Sequence, residues 1–428
     1  MRRWLYRALL LMFAALTACS AVPVSEVDSL QDDRPIELSV WLLPGTGLEP
    51  LIAEYDRDHP ELKIRVVTAQ YADVHSNLQT ALAAGYGAPD VVVIEGTFID
   101  RFKGFSSHFY NLYDYGAKAL AGEYLDWKWI NAQNANHSFL LALPTDIGPI
   151  LIAYRRDLFE KAGLPSDRES VSRMLSSWDD YIEVGKTLKE KTGTKMFNSL
   201  RTMYRLMFSQ LGEQYFDQTS GKLILQDNAE LRKAWDYTMK AANSGLSAGI
   251  EPYLPEWGLG LEQGSFAVML APPWMTGIMR NTAPAASGKW DLAELGPQQY
   301  GNWGGSYLAL PKEGEHPEEA FALIRYLTSP AQQLRLFVDN GNFPSVPGVY
   351  EDKAIHDKID PYFNDAPVGK MYSDAARKVK PIYIGSLADV VETALDDVLM
   401  QVDNGTLSPD QAWNEAVQRT EVALRDYP

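Results

Sequence analysis

Leu143-Pro144-Thr145-Asp146-Ile147-Gly148-Pro149-Ile150-Leu151-Ile152-Ala153-Tyr154-Arg155-Arg156-Asp157-Leu158-Phe159-Glu160-Lys161-Ala162-Gly163-Leu164-Pro165 is the stretch on which the fold of this chain turns. Two prolines and a glycine interrupt the backbone before an apolar run, Ile150 to Tyr154, that has the length of one buried strand. Asp157 then offers a carboxylate cap for a short helix, Leu158 to Ala162, ended by Gly163 and Pro165. A chain that leaves one sheet, bends at Pro144 and Gly148 and enters a second sheet has this pattern. The stretch reads as a crossing between two lobes.

Upstream, Ile36 to Leu43 is an apolar strand that ends in Pro44-Gly45-Thr46-Gly47, and Leu48, Leu51, Ile52 and Tyr55 follow at helical spacing. Leu62 to Val67 is a second strand. Asp73 caps a helix carrying Val74, Leu78, Ala81 and Leu82, and Val91 to Ile94 is a buried strand. The order β-α-β-α-β specifies the α/β class. In open parallel sheets a binding crevice lies beyond the carboxyl ends of the strands. That rule selects Trp41 to Gly47, Gln70-Tyr71 and Glu95-Gly96-Thr97. Downstream, the spacing predicts helices over Trp178 to Thr192, Arg201 to Leu211 and Ala229 to Asn243. Two later segments share one design, glycine and an aromatic residue beside an apolar strand: Gly264 to Trp274, ending in a Pro272-Pro273 turn, and Tyr300 to Pro311, which reads as the return crossing. A length of 428 residues also exceeds one ordinary core and points to two lobes.

The amino terminus places Arg2, Arg3 and Arg7 before an apolar run too short to span a bilayer, and then Leu16-Thr17-Ala18-Cys19. Cys19 is the single cysteine. It stands where a bacterial lipoprotein signal carries its lipidated residue, which leaves the mature chain without disulfide or thiol chemistry. The formal charge of −17 disfavours nucleic acid and anionic lipid head groups as partners. The six histidines are scattered without paired i,i+4 spacing, so no metal site is expected. There is no P-loop and no Gly-x-Ser-x-Gly elbow, and no catalytic residue or cofactor is assigned.

Aromatic residues are the positive signal. The chain has 11 Trp and 22 Tyr, and several aromatics sit in expected loops beside Gly or Pro: Trp41, Tyr71, Trp257, Trp274, Trp303 and Phe343. A sugar ring has an apolar face that stacks on an indole and a rim of hydroxyls that carboxylates and amides bind. Any one of them alone reads as core packing or a lobe interface; several in one expected crevice shift the balance toward a carbohydrate site.

From about Glu37 onward the chain resembles the extracellular solute-binding proteins of bacterial sugar ABC transporters, the family that includes maltose-binding protein. Pro144 to Pro165 is similar to the family's Pro…Tyr-Asn-Lys-Asp-Leu-Phe-x-x-Ala-Gly-Leu segment. Gly264-Ser-Phe-Ala-Val-Met to Trp274 is similar to its Gly-x-x-Ala-Met…Gly-x-Trp segment. Gly304-Gly305-Ser-Tyr-Leu-Ala-Leu-Pro, then Glu319-Ala320-Phe and Leu327-Thr-Ser-Pro330, is similar to its final strand and helix. The resemblance implies a type II periplasmic-binding-protein-like fold of two lobes around a ligand cleft. It also implies this division: signal peptide 1–18, lipidated tether 19–35, first lobe 36–145, second lobe 146–300, return to the first lobe 301–345, and second-lobe helices 346–428.

It further implies that Trp274 stacks on a sugar, that Asp146 and Trp303-Gly304-Gly305 line the cleft, and that Trp41 and Glu95 contribute from the first lobe. The expected protein is a monomeric, non-enzymatic receptor, lipid-anchored outside the cytoplasmic membrane, that passes an oligosaccharide to an ABC permease. Two departures stand out. Arg155-Arg156 replaces Asn-Lys, at an expected surface position, and Pro272-Pro273 replaces Gly-Pro before Trp274. Two alternatives stay open: a charged solute such as a glycerol phosphate or an amine, with Arg201 or Arg205 serving a phosphate, and an exported glycoside hydrolase.

Overall fold

Strands β1 (Ile36–Leu42), β2 (Leu62–Thr68) and β3 (Val91–Glu95) run parallel and are joined by helices Glu49–Asp58 and Tyr71–Ala84. In the computed structural model, which describes residues 35–296, 299–425 and 427, they form one side of a five-stranded sheet ordered β2-β1-β3-β10-β4. The expected signal peptide, Cys19 and all but the last residue of the tether lie outside the described residues. Strand β4 is Ala142–Pro144, and β10, Ser306–Ala309, is inserted antiparallel between β3 and β4. Val91 to Ile94 are fully buried, as expected of a central strand covered on both faces.

The second sheet is ordered β7-β8-β6-β9, built from β6 (Leu151–Arg155), β7 (Lys195–Phe197), β8 (Phe266–Ala271) and β9 (Trp290–Ala293). Alternation along β6 divides two cores: Ile152 and Tyr154 enter one apolar cluster, Leu151 and Ala153 the other. The first sheet has its own cluster. Between the sheets, β5 (Asp146–Ile147) pairs antiparallel with β11 (Phe343–Pro344). The chain thus passes from the first sheet to the second between Pro144 and Leu151, where the sequence reading placed a crossing.

Local chemistry explains the clearest helices. Trp178–Thr192 starts at a capping box, with Ser177 and Asp180 each accepting from the other's backbone, and ends at left-handed Gly193, φ 79°. Ala229–Asn243 is capped by the Asn228 side chain. At Asp157 the expected cap is not formed. The helix is Arg156–Lys161, and Asp157 is instead gripped by both Arg155 Nε and Arg155 Nη2, at 2.8 and 2.7 Å. Arg155, expected at the surface, is 3% exposed and also donates to the Leu261 carbonyl at 3.0 Å. A guanidinium with five donors can close the gap between β6 and the helix Pro255–Gln263, which an Asn could not reach across.

Candidate functional site

The carboxyl end of β3 carries Glu95 into the space between the two sheets. Its Oε2 accepts from the Thr97 amide at 2.7 Å and from the Tyr71 hydroxyl at 3.0 Å. Behind it, the Glu95 amide donates to His75 Nε2 at 3.1 Å, and His75 Nδ1 donates to the Tyr71 carbonyl at 2.7 Å. One partner only donates and the other only accepts, so the imidazole is neutral and its tautomer is fixed. It is buried and stacked on Phe98, centroids 4.0 Å apart.

Burial lowers the His75 pKa from 6.5 to about 4. Above pH 6.5 both folded and unfolded states hold the ring neutral. Between pH 6.5 and 4 only the unfolded state takes up the proton, so stability falls as pH falls through that window, by roughly 3 kcal/mol. Urea unfolding at pH 7 and pH 4.5 is expected to show this slope, and His75→Gln to flatten it by a comparable amount. An unchanged slope would remove His75 as its source.

The crossings form the middle of the site. The Gly148 carbonyl accepts from the Trp303 amide at 2.8 Å, and the Gly148 amide donates to Asn302 Oδ1, also at 2.8 Å. Gly304 and Gly305 have φ of 82° and 87°, conformations that a β-carbon disfavours. A Cβ on Gly305 would stand 2.5 Å from the Asp146 carbonyl. Pro272 and Pro273 do not make an isolated turn; they cap and begin the helix Pro273–Thr282, where a missing N–H costs nothing. Trp274 is its second residue. Its Nε1 donates to the Trp303 carbonyl at 3.0 Å, and the two indoles meet edge to face, centroids 4.8 Å apart. The polar edge of Trp274 is spent inside the protein, which leaves a ring face for an apolar partner.

The opposite wall comes from helices Leu200–Phe208 and Ala388–Asp403. Arg205 stands over Trp303 at 5.3 Å and pairs with Glu392 at 3.3 Å. Arg201 pairs with Glu251 at 2.8 Å and Asp396 at 2.6 Å. Burial raises the Glu392 pKa against the pull of Arg205. Arg205 and Trp303 separate two chambers. One, of about 60 Å³, is lined by Glu95, Lys128, Asn302 and Glu392 among others; the second, of about 260 Å³, is lined by Arg201, Glu251 and Tyr253. Tyr253 is a non-glycine residue at φ 70°, a strained backbone of the kind found at ligand clamps. The lobes meet over the first chamber: Asp100 Oδ2 accepts from the Ile384 and Gly385 amides at 2.9 and 3.1 Å, and Arg101 pairs with Asp389.

Of the residues singled out in the sequence, Glu95, Trp303 and Gly304 line the first chamber together. Trp274 joins through Trp303, Tyr71 through Glu95, and Gly305 and Asp146 through their mutual backbone contact, where Asp146 Oδ1 also accepts from the Ser306 amide at 2.9 Å. Trp41 lies half-buried on β1 against the first-lobe core. Trp257 and Phe343 are corrections: both are 0% exposed and present no ring face. Trp257 is held in the helix Pro255–Gln263 with Leu261, and Phe343 sits in the β5–β11 pairing opposite Ile147. Sequence reasoning missed Lys128, Asn302, Tyr253, Glu392 and the whole approach of residues 382–389. Arg201 and Arg205, and Glu392 and Asp396, each stand four apart on a helix, a signal of charged helix faces that could have been read.

The model of the family described as "Bacterial extracellular solute-binding protein" matches residues 41–334. An arabinooligosaccharide-binding protein of Halalkalibacterium halodurans is 26% identical over 415 residues, 91% of this chain and 90% of that protein. A lactose-binding protein of Rhizobium radiobacter is 25% identical over 388 residues, 84% of this chain and 86% of that protein. A crystal structure described as an extracellular solute-binding protein of family 1 superposes with a TM-score of 0.86 at 34% identity, covering 91% of this chain and 100% of that one.

Proposed function

The chain belongs to the bacterial extracellular solute-binding proteins, and within that family we propose that it captures a neutral carbohydrate, an oligosaccharide, and delivers it to the permease of an ABC transporter. The observation that carries this is the pairing of indole surface with neutralised charge in the cleft. Trp303 lines both chambers with Trp274 packed edge to face against it, and Glu95 brings carboxylate oxygens into the same space. The two guanidiniums that a phosphate would need are already spent: Arg201 and Arg205 face three carboxylates, Glu251, Asp396 and Glu392. An amine would meet Glu95, Asp100 and Glu392 but also the Lys128 ammonium, which has no carboxylate paired with it among the described residues. A phosphate therefore meets guanidiniums already paired, and an amine shares its space with an ammonium that is not.

The role is binding without turnover. The lobes would part about the β5–β11 pairing between the two sheets to admit ligand and close on it. Cys19, in its lipoprotein-like context, would tether a monomeric receptor to the outer face of a membrane; no helix among the described residues is long and apolar enough to cross one.

Thermal unfolding against a panel of arabino-oligosaccharides, lactose, other disaccharides, glycerol phosphate and amines tests the reading. Ligand at a hundred times its Kd stabilises by about 2.7 kcal/mol, a displacement of a few degrees. A shift with one sugar series, with the sugar recovered unchanged by chromatography, is expected. A shift with glycerol phosphate or an amine and with no sugar would overturn the ligand class, and a new sugar product would overturn the non-enzymatic role.

A further inference from the structure

The small chamber holds a lysine whose ammonium donates no hydrogen bond to the described residues. Lys128, on helix Asp126–Asn131, is 1% exposed, yet among the described residues no hydrogen bond or ion pair engages its Nζ. The ammonium stands 3.8 Å from the centroid of the Tyr307 ring, and both residues line the chamber with Glu95 and Asn302. Nearby Lys103 shows the contrast: its ammonium is paired with Asp100 and donates to the Asn131 carbonyl. An ammonium whose tip opens only onto this chamber, with no acceptor among the described residues, is costly, and a ring face recovers only part of that cost. The arrangement is complete only when acceptors arrive from outside.

We infer that Lys128 is a specificity-determining residue of the cleft, its three N–H groups donating to adjacent hydroxyls of a neutral sugar ring seated between Glu95 and Trp303. This rests on the carbohydrate reading above. The charges favour a neutral ligand over a uronate: Lys128 and Arg205 are answered around the same chamber by Glu95, Asp100 and Glu392. The groups facing the ammonium are Glu95 from β3, Asp146 from β5, the Tyr307 phenol from β10 and Asp100 from helix Ile99–Gly104, with Arg205 and Glu392 across the chamber. Burial holds the Lys128 pKa down at about 8, with Asp146 and Glu95 opposing, and Tyr307 is held well above its usual range. Affinity carried by the ammonium is therefore level at neutral pH and falls above about pH 8, by up to about tenfold per unit.

The test is calorimetric titration of the sugar that wild type binds. Lys128→Met keeps the stem and removes the charge. It is expected to weaken binding about 10- to 100-fold, the range for a charged donor, while the ligand-free midpoint holds or rises because an unpaired charge has gone. Equal affinity within twofold overturns the inference and leaves the carbohydrate reading standing. A wild type silent to every sugar overturns both. Should the variant fail to fold, the wild-type pH series decides: affinity that does not fall between pH 7 and 9.5 overturns the role. Tighter binding of a uronic-acid disaccharide than of its neutral counterpart overturns the ligand class.

Discussion

Gly148→Ala is expected to cost about 3 kcal/mol or more of stability and to abolish ligand-induced stabilisation, although it adds one methyl group far from any core centre. The new Cβ would overlap the Trp303 carbonyl oxygen and stand 3.2 Å from Trp274 Nε1. A clash with a flexible side chain is cheap because the chain end swings away. This one is with backbone that is pinned from both sides, since Gly148 accepts from the Trp303 amide and donates to Asn302, and Pro149 bridges Asn302. Relief requires the two crossings to separate, which breaks those hydrogen bonds and moves both indoles. Gly122→Ala is the control, because a Cβ there meets nothing within 4 Å; it should stay within about 0.5 kcal/mol. Urea unfolding and the ligand-induced thermal shift of the two variants read the result. A Gly148→Ala protein as stable as Gly122→Ala would show that the crossings are not rigid.

The outward reading from that same stretch explains what could be seen in advance. A crossing announces itself because proline and glycine cannot be hidden in a ladder, and an apolar run after them must go into a sheet. Hence β6 and the return strand β10 were legible, and so were helices Trp178–Thr192 and Ala229–Asn243, whose caps are written in adjacent residues. Ring direction was not legible. An aromatic beside Pro or Gly looks the same whether it faces a cleft or a core, and Trp257 and Phe343 went inward. For Trp257 a signal existed: Pro255 opens a helix, and Trp257, Gly260 and Leu261 share its buried face at i, i+3 and i+4.

Partners distant in sequence were beyond reach altogether. Arg205 and Glu392 are 187 positions apart, and each alone looks like a solvated charge on a helix. Their neutralisation of one another is what turns an apparent phosphate site into one suited to neutral ligands. Lys128 is the sharper case. A lysine in Asp126-Trp127-Lys128-Trp129 reads as the polar side of a short helix, but the fold buries it against Tyr307. In both cases the functional content lies in what long-range packing does to a charge, which no local pattern encodes.

Trp274→Ala should weaken binding of the captured sugar about 100-fold, near 3 kcal/mol, the largest single loss expected from a side chain at the cleft surface. Two contributions add. Truncation removes the ring face on which a sugar's C–H surface would rest. It also removes the Nε1 donor to the Trp303 carbonyl, and with it the edge-to-face contact at 4.8 Å that sets the attitude of the second indole. Trp274→Phe separates them, because it keeps an aromatic face and lacks the donor; a loss of about tenfold is expected, close to the net value of one hydrogen bond. The order wild type, Phe, Ala, measured by calorimetry, assigns the larger share to stacking. Equal losses for Phe and Ala would assign it to the Trp303 anchor instead. An Ala variant within twofold of wild type would take Trp274 out of the binding surface and leave Trp303, held over by Arg205 at 5.3 Å, as the only indole in contact with both chambers among the described residues.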